Sequence, residues 1–152
     1  MYTIEEFDKL KTKVLKYIMY KKRTENEIKR KFSEEDYELL EDVIEHLKEI
    51  GYIDDKKYVE RAIAEFTKLN NLSIKELKYK LQSKGIDLNN IDDYIYSHQE
   101  ELEEYEINSA RNIIIKKQNN LEEQSLIQYL IKKGYRSDSI KQAIENISNE
   151  KD

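Results

Sequence analysis

The sequence predicts an all-α protein: three tandem three-helix repeats laid end to end as an elongated, curved array. Three observations carry that prediction. The 152 residues include no Pro and only three Gly, too few breakers for turn-rich β-architecture, while the helix formers Lys, Glu and Leu crowd the chain. Apolar residues recur at spacings of three and four nearly throughout, and no stretch sustains the alternation of a strand. The chain also matches itself at an offset of 49 residues.

The stripes follow in order. Phe7, Leu10, Val14, Tyr17 and Ile18 form the first, behind a capping pattern Thr3-x-x-Glu6. Thr24-x-x-Glu27 opens a short second helix carrying Ile28 and Phe32. Tyr37, Leu40, Ile44 and Leu47 make a third, stopped by Gly51. Asp54-Asp55 then caps a fourth helix and places a second carboxylate in the turn that joins the first two repeats. The fourth stripe is Tyr58, Ala62, Ile63, Phe66 and Leu69. Ser73-x-x-Glu76 opens the fifth, with Leu77 and Leu81 before Gly85. Ile91 and Ile95 mark the sixth, Ile107, Ala110 and Ile114 the seventh, Leu126 and Leu130 the eighth before Gly134, and Ile140, Ile144 and Ile147 the ninth.

At the 49-residue offset, Lys68, Asn70, Asn71 and Leu72 fall on Lys117, Asn119, Asn120 and Leu121. Leu77 and Leu81 fall on Leu126 and Leu130, Lys84-Gly85 on Lys133-Gly134, and Ile91 and Ile95 on Ile140 and Ile144. The same shift carries Thr24, Ile28 and Phe32 onto Ser73, Leu77 and Leu81. A longer third helix then puts the first copy out of step. Repeats near 3–53, 54–98 and 99–150 result. Units this small bury their remaining apolar faces against neighbours, so they should stack and offer a long lateral surface to an extended partner.

Function classes fall away in turn. No apolar run approaches the roughly 20 residues of a spanning helix, so no membrane role is expected. The chain has no Cys, which removes disulfides and thiolate chemistry and fits a reducing compartment. The acidic N-terminal stretch is unlike a secretory signal, and a cytoplasmic monomer is expected. His46 and His98 stand apart and read as boundary histidines, not metal ligands. Three isolated Gly cannot form a phosphate loop. Neither enzyme activity nor a cofactor is expected. Most of the 15 aromatics, 12 of them Tyr, fall on core stripes, as Tyr17, Tyr37 and Tyr58 do, and read as packing and not as stacking platforms for bases.

Net charge is −5, and the three segments 1–55, 56–102 and 103–152 carry −4, 0 and −1. A protein that grips DNA through its backbone is usually basic, so DNA is not the default partner. Basic residues nevertheless cluster in register around each repeat's second helix. Lys21, Arg23, Lys29, Arg30 and Lys31 belong to the first repeat, Lys75, Lys78 and Lys84 to the second, and Lys116, Lys117, Lys132, Lys133 and Arg136 to the third. Stacking would line them into a discontinuous positive stripe for an acidic groove or a phosphate backbone.

Three segments, Thr24-x-x-Glu27-Ile28-Lys29-Arg30-Lys31-Phe32, Gly51-Tyr52-Ile53-Asp54-Asp55-x-x-Tyr58-Val59 and Ile74-x-Glu76-Leu77 with Lys84-Gly85-Ile86, resemble the RecX family of recombination regulators. Leu130, Lys133-Gly134-Tyr135 and Ile140-x-x-Ala143-Ile144 are similar to that family's last repeat. The resemblance spans about residues 7–148. It implies three three-helix modules that lie in the groove of the RecA filament on single-stranded DNA and suppress its ATPase, strand-exchange and coprotease activities. Any binding of single-stranded DNA alone would be weak. Lys21 stands where the family usually has Arg, and Asn71-Leu72 replaces a Gly-containing turn. Two other readings remain open: a helix-turn-helix transcription regulator, with residues 24–53 as two helices and a wing, and a generic helical adaptor for peptides.

Overall fold

In a computed structural model, which describes residues 1–151, the chain is all-helical, with no strand among the described residues. The helices are α1 (Ile4–Tyr20), α2 (Glu25–Lys31), α3 (Tyr37–Glu49), α4 (Asp55–Thr67), α5 (Ile74–Ser83), α6 (Leu88–Ser97), α7 (Gln99–Lys117), α8 (Glu123–Lys133) and α9 (Ser137–Lys151). Local chemistry sets their starts. Thr24 and Ser73 close reciprocal capping boxes with Glu27 and Glu76, and Asp36, Asp54 and Asp87 accept hydrogen bonds from the backbone N–H groups of Leu39, Lys57 and Asn89. Asn70 supplies the turn before α5 by adopting φ 49, a left-handed conformation that Asn tolerates better than most residues.

The buried apolar side chains gather in three clusters. The first contains Leu10, Val14, Ile18, Ile28, Leu40, Ile44 and Leu47 of α1–α3, closed by Ile53. The second contains Val59, Ile63, Leu77, Leu81, Ile86 and Ile91 of α4–α6, joined by Leu102 from the start of α7. The third contains Ala110, Ile113, Leu126, Leu130, Tyr135, Ile140 and Ala143 of α7–α9. Within each group the first helix packs on the third: α1 on α3, α4 on α6, α7 on α9. The long α7 serves two clusters, covering the second with its first turns and building the third with its last.

Three small cores leave much surface wet. The chain exposes 10400 Å² at a mass of 18.4 kDa, about a quarter more than the roughly 8,200 Å² of a compact monomer of that size.

Two of the expected core residues face solvent. Tyr37 is 77% exposed because it is the first residue of α3, and the inward rows begin with Leu39 and Leu40. Leu69 is 69% exposed because α4 ends before it, leaving Val59 and Ile63 as that helix's buried face. Tyr20, Tyr79 and Tyr96 are exposed as well.

Candidate functional site

The two junctions between helix groups repeat one hydrogen-bonding device. The Thr24 hydroxyl accepts from Glu27 N–H in its capping box and donates to the Lys84 carbonyl at 2.8 Å, 60 residues away. The Ser73 hydroxyl accepts from Glu76 N–H and donates to the Lys133 carbonyl at 2.7 Å, again 60 residues away. Beside each hydroxyl, the next backbone N–H is met by a carboxylate from the following group. Glu25 N–H donates to Asp55 at 3.1 Å, and Ile74 N–H donates to Glu106 at 2.8 Å. The Asp54-Asp55 pair thus splits its work: Asp54 caps its own helix and Asp55 caps α2.

Gly85 and Gly134 complete the device. Both sit at positive φ, 81° and 99°, just past the second helix of their group. A side chain there would strike the neighbouring group: a Cβ on Gly85 would overlap Asn26, and one on Gly134 would lie 2.8 Å from Lys75 Cβ. Gly51 shares the conformation but has nothing within 4 Å of its would-be Cβ, so it serves only as a helix stop.

The junctions bring part of the basic stripe together. A cleft of about 520 Å³ runs between α5 and α8, lined by Lys75, Lys78, Lys80, Lys132 and Lys133, with Glu76 as its one acid and Tyr79 on its wall. A separate cleft at the first junction is mixed: Lys29, Lys48 and Lys56 face Glu25, Asp54, Asp55 and Asp87.

Several of the thirteen candidate cations are engaged within the chain. Lys29 pairs with Glu41 at 3.2 Å and Glu25 at 3.6 Å, and Lys78 pairs with Asp92 at 3.0 Å. Lys133 approaches Glu76 at 3.8 Å and lies over the Tyr129 ring. Arg136 binds Glu106 at 3.0 Å; burial works against its charge, but the Glu106 carboxylate outweighs that and raises its pKa. Arg23 and Lys31 lie over Tyr17, and Lys117 over Tyr129. Lys21, Arg30, Lys75, Lys84, Lys116 and Lys132 form no ion pair among the described residues. Of the thirteen, these six are left without an ion pair or an aromatic partner among the described residues.

The histidines sit at boundaries. His46 lies edge-on to Phe7, and His98 joins α6 to α7, stacked on Tyr94 with Nδ1 2.9 Å from the Tyr94 carbonyl. Gly51-Tyr52-Ile53 forms no wing: Tyr52 and Ile53 N–H groups both bond the Leu47 carbonyl, and the chain passes directly into α4. No helix among the described residues is long and apolar enough to cross a membrane.

Sequence reasoning passed over Glu106. It is fully buried, yet it looked like one more acid in the run from Glu100 to Glu106. The signal was its place in the stripe Leu102, Glu106, Ala110, Ile113, where a charge at a core position demands partners. Those partners are the backbone N–H groups of Ile74 and Arg136 and the Arg136 guanidinium.

No protein-family model matches the chain. A regulatory protein RecX of Clostridium acetobutylicum is 30% identical over 151 residues, covering 92% of this chain and 69% of the relative. One from Clostridium perfringens is 28% identical over 157 residues, covering 95% and 71%. One from Staphylococcus haemolyticus is 27% identical over 143 residues, covering 91% and 54%. The chain thus spans between about half and seven-tenths of these relatives' length. The crystal structure of RecX from Lactobacillus salivarius superposes with a TM-score of 0.80 at 22% identity, covering 96% of this chain and 99% of that one. A second RecX crystal structure gives 0.79 at 24% identity, covering 91% and 73%. At those identities the structural likeness establishes the fold.

Proposed function

Since the chain belongs to the RecX family of regulatory proteins, we propose that it binds the filament of RecA on single-stranded DNA and regulates it, mainly by inhibiting its ATPase, strand-exchange and coprotease activities. It does so as a monomeric binding protein without catalysis or cofactor, in the cytoplasm. Its working parts are three three-helix units, 3–53, 54–98 and 99–150, held in line by the two junctions. An extended array can touch successive subunits of a polymer, and several modest contacts made at once bind far more tightly than any one alone.

The observation that supports this reading most directly is the lysine cleft between α5 and α8. It offers a positive, elongated seat to an acidic protein groove or to the phosphates within it, while the net charge of −5 disfavours DNA as the sole partner. Lys75 and Lys132 are exposed cations of that cleft that form no ion pair among the described residues, and with Lys21, Arg30, Lys84 and Lys116 they make up the proposed contact surface.

Co-sedimentation with RecA filaments and with bare single-stranded DNA tests the reading, alongside DNA-dependent ATP hydrolysis. Filament binding with loss of hydrolysis at or below stoichiometric protein is expected. The double variant Lys75→Glu/Lys132→Glu should weaken binding roughly tenfold or more, as two lost charge contacts would. Absence of both sedimentation and inhibition with the unaltered chain would overturn the proposal.

A further inference from the structure

The two junctions differ in what crosses them. At the second, one continuous helix does: α7 places Leu102 in the second apolar cluster and Ala110 and Ile113 in the third. Tyr105 packs against the second cluster as well and accepts a hydrogen bond from Leu72 N–H at 3.2 Å. Beyond the Ser73 and Glu106 contacts, Ser109 donates to the Leu72 carbonyl at 3.0 Å and Asn112 to the Asn70 carbonyl at 3.4 Å. Lys133 donates to the Asn71 carbonyl at 3.3 Å and approaches Glu76. Parting these groups would bend a helix and bring the buried Leu102 into water.

No helix crosses the first junction, since α3 ends at Glu49 and α4 begins at Asp55. The first apolar cluster draws only on residues 1–53, and the second takes nothing from them. Among the described residues, the Thr24–Lys84 and Glu25–Asp55 hydrogen bonds alone join the two groups, and no ion pair does. Beside them lies a cleft of about 530 Å³ whose lining has Ile53 as its one apolar side chain. Water replaces hydrogen bonds broken at such a polar rim at small net cost, whereas a parted apolar contact has no such replacement. The chain passes between the groups at Asp54, with Ile53 buried in the first cluster on one side and the first residue of α4 on the other.

We propose that the first junction is a hinge: the first three-helix group swings as an arm about Asp54, while the second and third groups move as one body. Units of a chain that meet through a small polar interface move relative to one another by default, and those that share a large apolar one do not. The lysine cleft between α5 and α8 lies wholly on the two-group body, so the arm changes its angle without taking that surface apart. The hinge assumes nothing about the partner and stands apart from the filament reading.

The chain has no Cys, so cysteine pairs placed in the full chain can be spin-labelled without background and their separations read by double electron–electron resonance. Lys16→Cys with Glu60→Cys spans the first junction, and Glu60→Cys with Lys141→Cys spans the second. Lys16→Cys with Glu49→Cys lies within the first group and gives the width due to the labels themselves. All four sites are exposed and form no ion pair among the described residues. The distance distribution across the first junction should be wider than the other two by roughly twofold or more, as movement of one unit against another requires. The second-junction distribution should match the within-group one. A first-junction distribution no wider than the within-group pair overturns the proposal. A second-junction distribution as wide as the first also overturns it, because the array would then bend equally at both places.

Discussion

The first and second junctions use the same hydroxyl, the same glycine and the same incoming carboxylate, yet they are built to different strengths. At the first, Asp55 is half-buried and meets one backbone N–H, and Asn26 Oδ1 is buried without a hydrogen-bond partner. At the second, Glu106 is fully buried and accepts from two backbone N–H groups and a guanidinium. There Ser109 also donates to the Leu72 carbonyl at 3.0 Å and shares a 2.5 Å hydrogen bond with the buried Tyr135 hydroxyl. A charged group surrounded by donors in a dry site is worth more, and costs more to disturb, than the same contact at the rim. The difference teaches that one repeated contact can be tuned from adjustable to rigid by its surroundings. The more fully bonded second junction also carries the lysine cleft.

The comparison breaks most visibly at the carboxylates. Glu106→Ala strands two backbone donors and the Arg136 charge, and should cost about 3–5 kcal/mol. Asp55→Ala removes a single half-exposed cap and should cost about 1 kcal/mol. Urea unfolding followed by circular dichroism measures both. Equal losses would show that burial does not set the strength of these junctions.

The glycines come next. Gly85→Ala and Gly134→Ala add strain at positive φ, about 1–2 kcal/mol, and a collision with the neighbouring group worth about 1–3 kcal/mol more. Gly51→Ala adds the strain alone, because no atom lies near. If Gly51→Ala proves as damaging in thermal unfolding as the other two, the glycines are helix stops and nothing else.

Smaller losses should follow removal of the hydroxyls. Ser73→Ala and Thr24→Val each delete a cap and a contact 60 residues away, for about 1–2 kcal/mol. Thr3→Ala deletes a cap that makes no contact with another group, for about 0.5–1 kcal/mol. A double-mutant cycle of Ser73→Ala with Glu106→Gln should show coupling of at least about 0.5 kcal/mol, because the two share one helix end. Strict additivity would argue that the device is two separate contacts.

How far this was legible in the sequence depends on the range of each interaction. The helical class follows from local periodicity, and the 49-residue offset placed Thr24 on Ser73 and Gly85 on Gly134 before any coordinates. Local chemistry also gave their capping roles. Their second role was hidden, because a hydroxyl's donor side points at a residue 60 positions away, and nothing in the local pattern marks that partner. Tyr37 and Leu69 were misplaced for the opposite reason: each fits the spacing but stands at the edge of its helix, where the stripe no longer faces the core. The basic stripe was half legible. Position along the chain showed the register of the lysines, but not that Lys29, Lys78 and Arg136 are tied to acids of their own chain.

The finest contrast is one of protons. At the first junction, burial raises the Asp55 pKa above its ordinary 3.8, and the bond from Glu25 N–H only partly offsets it. Between the ordinary and the raised value the folded chain holds a proton that the unfolded chain has lost, so this group makes stability fall as pH rises through that window. Glu25 runs the other way. Burial pushes it up, but Lys48 and Lys29 outweigh burial and leave it below its ordinary value. Its contribution is present above the unfolded pKa and is lost as pH falls through the folded one. Asp55→Asn keeps an oxygen for Glu25 N–H and removes only the opposing charge. The variant should therefore stay within about 0.5 kcal/mol of the parent near neutral pH, and its thermal midpoint should lose less than the parent's as pH rises from about 4 to 6. A loss at neutral pH as large as that of Asp55→Ala would mean that the charge itself holds the junction, and the contrast with the buried, fully partnered Glu106 would disappear.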